Sequence, residues 1–101
     1  MASQKELQST LISLLESRNV YYNPPASLLM KYDAIRYSLS NIKSDYANNN
    51  KYKNMKCYDL IVIALEPDPS VVDKILALPY STMGRPYVSD NLHHYPITLY
   101  W

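Results

Sequence analysis

The run CYDLIVIAL at residues 57–65 is the most apolar stretch of the chain, and it sets the terms for everything around it. Past Asp59 it is apolar on both alternations, the pattern of a central strand covered on both faces. It is too short to cross a membrane as a helix. A strand of this kind needs neighbours on both edges and helices to lie over it, so the rest of the chain is read for those parts.

The first neighbour lies upstream. Ile35, Tyr37 and Leu39 alternate with Arg36, Ser38 and Ser40, the period-two signature of a strand with one buried face, continuing to Ile42. Between the two strands, residues 43–56 (KSDYANNNKYKNMK) are rich in Asn and Lys and carry no apolar period. They are expected to form a long hairpin arm with a mobile tip.

Helices are predicted at two places. Residues 3–17 place Leu7, Leu11, Leu14 and Leu15 on one side, with Ile12 widening the stripe. Ser3 and Glu6 have capping-box spacing, and the pattern changes after Arg18-Asn19 to Val20, Tyr21 and Tyr22, a short strand. Asn23-Pro24-Pro25 then forces an extended segment. Downstream, Glu66-Pro67-Asp68-Pro69 stops the central strand, with Asp68 predicted as N-cap and Pro69 as first residue of a second helix. Val72, Ile75 and Leu76 would face the core, and Leu78-Pro79 ends the helix.

Met83, Gly84, Arg85 and Pro86 predict an irregular or edge strand, because proline cannot donate to a ladder. Ser89-Asp90-Asn91 is a turn signal. Ile97, Leu99 and Trp101 alternate with Thr98 and Tyr100 in a last strand over residues 95–101. The fold class that follows is α+β: an antiparallel sheet with a long-armed β-hairpin and two helices packed on one face.

A chain of 101 residues has room for one hydrophobic core and so for a single domain over residues 1–101. Ten basic and nine acidic residues leave a net charge of +1, which excludes a nucleic-acid footprint spread over the whole domain. Phe is absent while Tyr occurs 11 times, so nearly every ring carries a hydroxyl that needs a partner or water. Tyrosine at this density suits partly buried subunit interfaces, or it simply replaces Phe in the core and on strands. The N-terminal stretch mixes polar and acidic residues into its apolar pattern, so neither a signal peptide nor a membrane span is expected there.

No catalytic, cofactor or metal constellation emerges. His93 and His94 beside Asp90 are adjacent on a strand and point to opposite faces, so they cannot share one ion without distortion. Cys57, the single cysteine, excludes an internal disulfide and opens the most apolar strand, where a thiol behaves as a small hydrophobe. Gly84 is the only glycine, so no glycine-rich phosphate loop exists, and the carboxylates carry no paired motif. The arm has its own chemistry: Lys43, Lys51, Lys53 and Lys56 face only Asp45 as countercharge, with Tyr46 and Tyr52 interleaved. Such a segment is either a hairpin kept soluble by lysine or a local nucleic-acid contact. The chain is therefore expected to be non-enzymatic and to act through what it assembles with.

From Tyr21 onward an ordered series of short motifs runs through the chain. It comprises Tyr22 with Pro24-Pro25 and Ser27, Met30-Lys31-Tyr32 before the strand at 35–38, and Tyr46-Ala47-Asn48-Asn49 in the arm. Cys57-Tyr58 with Val62-Ile63, Asp68-Pro69-Ser70, Arg85, Tyr87, Asp90-Asn91-Leu92, His94 and Leu99-Tyr100 follow. In their order and spacing these motifs resemble the tail terminator or tail completion proteins of tailed bacteriophages. Asp33 stands where that pattern has proline, and Met83-Gly84 replaces a bulkier, more polar pair. The resemblance implies a virion structural protein that forms a ring, commonly a hexamer, capping the head-proximal end of the tail tube and joining it to the head. Its implied partners are further copies of itself, the tail tube protein and neck or connector proteins, with genomic DNA passing through the ring and no membrane. It would sit in the virion, in tail or neck, and in host cytoplasm during assembly. A different head-to-tail connector, or a small nucleic-acid-binding module using the arm lysines, is the alternative. Candidate contact residues in the arm are Lys43, Tyr46, Asn48, Asn49, Lys51, Tyr52 and Lys53. Outside it they are Arg85, Tyr87, Asn91 and His94.

Overall fold

A computed structural model describes residues 4–25, 29–40 and 56–101. Residues 43–55 of the arm, which hold its candidate residues Lys43 to Lys53, lie outside the described residues, as do Ile42 and the capping-box Ser3. Among the described residues two helices, α1 (Gln4–Leu15) and α2 (Ser70–Leu76), accompany a sheet of six strands. These are β1 (Val20–Tyr22), β2 (Ala34–Leu39), β3 (Cys57–Ala64), β4 (Ser81–Met83), β5 (Tyr87–Ser89) and β6 (Leu92–Tyr100). The spatial order is β1-β2-β3-β6-β4, and β5 also pairs with β6. The fold is α+β, as the sequence pattern predicts.

Three strands alternate in step. Tyr37, Leu60 and Ile97 stand in one cross-strand row, and Ile35, Val62 and Tyr95 in the next. All six side chains are buried on the same face, under Leu7 and Leu11 of α1 and Val71, Val72 and Ile75 of α2. Both helices thus cover one side of the sheet, which is why a period of two in β2 and β6 meets a helical stripe in α1.

Four expectations are corrected. The sheet is mixed rather than antiparallel: β1 runs parallel to β2, with Val20 beside Ile35. The two strands therefore start from the same side of the sheet. Second, β3 is not evenly covered on both faces. Asp59 is exposed and Ile61 half-buried on the side away from the helices, and only Ile63 is buried there. The strand ends at Ala64, leaving Leu65 exposed, its N–H donating to Asp33 Oδ1 at 3.0 Å. Third, Asp68 does not cap α2. Pro69 occupies the N-cap position with extended backbone and no side-chain cap bond, while Asp68 adopts φ 53° and its N–H donates to Tyr95 Oη at 2.9 Å. Asp68 is therefore a turn residue in the left-handed region that Asp and Asn tolerate best. Fourth, the last strand is longer than predicted, because β6 begins at Leu92 directly after the turn.

The outer edge beyond β6 is broken as its proline predicts. Met83 pairs with Ile97 and Tyr87 with His94, so three edge residues (Gly84, Arg85, Pro86) oppose two on β6. Such an insertion is a bulge-like break. It lies opposite Pro96, whose carbonyl accepts from Gly84 N–H at 2.8 Å. The nitrogen that lacks a proton faces this same irregular side, so a proline fits inside an otherwise paired strand.

Candidate functional site

The arrangement of tyrosines divides the molecule into a sealed side and an open side. On the helix side Tyr37 and Tyr58 are 1% exposed, their ring centroids 6.0 Å apart in an edge-on contact. Tyr37 Oη accepts from Gln4 Nε2 at 2.7 Å and donates to Gln8 Oε1, so α1 is tied to the sheet by a satisfied polar network as well as by leucines. Tyr22, at the rim of this face, packs against Tyr37 at 4.9 Å and stays 41% exposed. Tyr37 and Tyr58 stand in for Phe in the core, while Tyr22, Tyr80 and Tyr87 are exposed.

Burial pushes the Tyr37 phenol above its ordinary value, partly offset by the hydrogen bond from Gln4, and burial also raises Tyr58. A raised folded value means the native chain holds protons that the unfolded chain releases. The stabilisation is complete below the unfolded value near pH 10 and is lost as pH rises through the folded values. We predict that urea midpoints are level between about pH 8 and 9 and fall steeply above about pH 10. A Tyr37→Phe, Tyr58→Phe double variant should lose much of that alkaline slope.

Among the described residues no helix lies on the opposite side of the sheet. Arg36, Ser38, Asp59 and Ile61 border a shallow concavity of about 430 Å³ with Asn23 and Pro24 at its rim. Its lining mixes a cation, an anion, a hydroxyl and an aliphatic group.

Of the predicted contact residues, four fall within the described structure, and they lie along one edge. Arg85 sits exposed in the break between β4 and β5, and Asn91 at φ 63° forms the β5–β6 turn with Asp90 at φ 54°. Two consecutive left-handed residues make the turn twist that suits a tight hairpin, and they set the register that brings Tyr87 opposite His94. Those two rings stack, 4.7 Å between centroids at 12°, while His94 Nδ1 lies 3.0 Å from the Leu92 carbonyl. The edge also exposes Tyr80, Met83 and Val88, none of them among the predicted contact residues. A clue was present in the Met83–Pro86 segment, since an edge strand leaves its apolar side chains half covered.

The structure separates Cys57 from the histidines. Cys57 pairs with Tyr100 and His94 with Ile63, six residues along β3 or roughly 20 Å apart. Among the described residues no group of three or more His, Cys, Asp or Glu could hold a metal ion. No helix among them is long and apolar enough to cross a membrane. The chain matches no family model, no curated protein and no solved structure.

Proposed function

We propose that this chain is a non-enzymatic assembly protein of a tailed-phage virion, a tail terminator that forms a ring on the head-proximal end of the tail tube. The observation that carries the reading is the ordered motif series from Tyr22 to Tyr100. The one-sided sheet supports it: the helices seal one face, while the other face and the β4–β5 edge offer two distinct surfaces for protein contacts. A ring built by heterologous contacts has two different faces, so one matches the last tube ring and the other ends the series.

Purified chain added to polymerising tail tube protein should cap the tubes at one end, visible by electron microscopy as a ring, and halt their growth there. Tubes that lengthen unchanged, with no ring at either end, overturn the reading. DNA affinity that falls steeply with salt, without capping, selects the nucleic-acid module instead.

A further inference from the structure

We draw no further inference here: the strongest candidate, the shallow concavity on the side of the sheet facing away from α1 and α2, where Arg36 and Asp59 stand exposed beside Ser38 and Ile61, carries nothing because nothing in the structure shows what covers it.

Discussion

Replacing Leu11 with Ala is expected to destabilise the domain by about 2–5 kcal/mol, a large share of the roughly 5–15 kcal/mol that folded domains hold. Leu11 is fully buried in α1, and with Leu7 it forms the part of the helical stripe that reaches the sheet, while Ile12, Leu14 and Leu15 are only partly covered. Truncation there loses the transfer free energy of the side chain and opens a cavity between α1 and the sheet. Alanine is the better helix former, so the helix itself is not what fails. The melting temperature should fall by on the order of 10–30 °C. Ser13→Ala on the exposed side of the same helix should stay within about 0.5 kcal/mol of wild type. Equal effects at the two positions would mean that α1 is not held by its leucine face.

That contrast between Leu11 and Ser13 was legible in the sequence, because helical spacing of leucines is a physical instruction about which side is buried. The alternation in β2 and the proline in the outer edge were legible for the same reason. The parallel pairing of β1 was not: three residues carry no usable period, and nothing in them states a direction. The open face of β3 was hidden because an apolar run states what a strand tolerates on each side and not what lies over it. With a single glycine in the chain, left-handed positions also fall on residues that do not advertise them, Glu16 at φ 60° and Tyr80 at φ 62° among them. At the candidate interface, Tyr87 and His94 were each picked out singly. Their stacking depends on the turn holding two residues and no more, since a slip of one would have set His93 in that place.

The largest effect expected of this chain is on the particle. The proposed terminator role predicts that in phage lacking it heads fill with DNA yet stay unjoined to tails, because a terminator presents the joint. Tube growth should lose its stop, because every exposed tube end remains a template for another ring of tube protein. The measurement that bears most directly on the account is the distribution of tail lengths, read by electron microscopy in lysates made without the protein. The account predicts free, DNA-filled heads beside tubes of irregular or excessive length, restored to one length when the chain is supplied in trans. Tails of normal length that merely fail to attach would move the protein to the connector side of the joint. Normal, infectious particles would contradict the account.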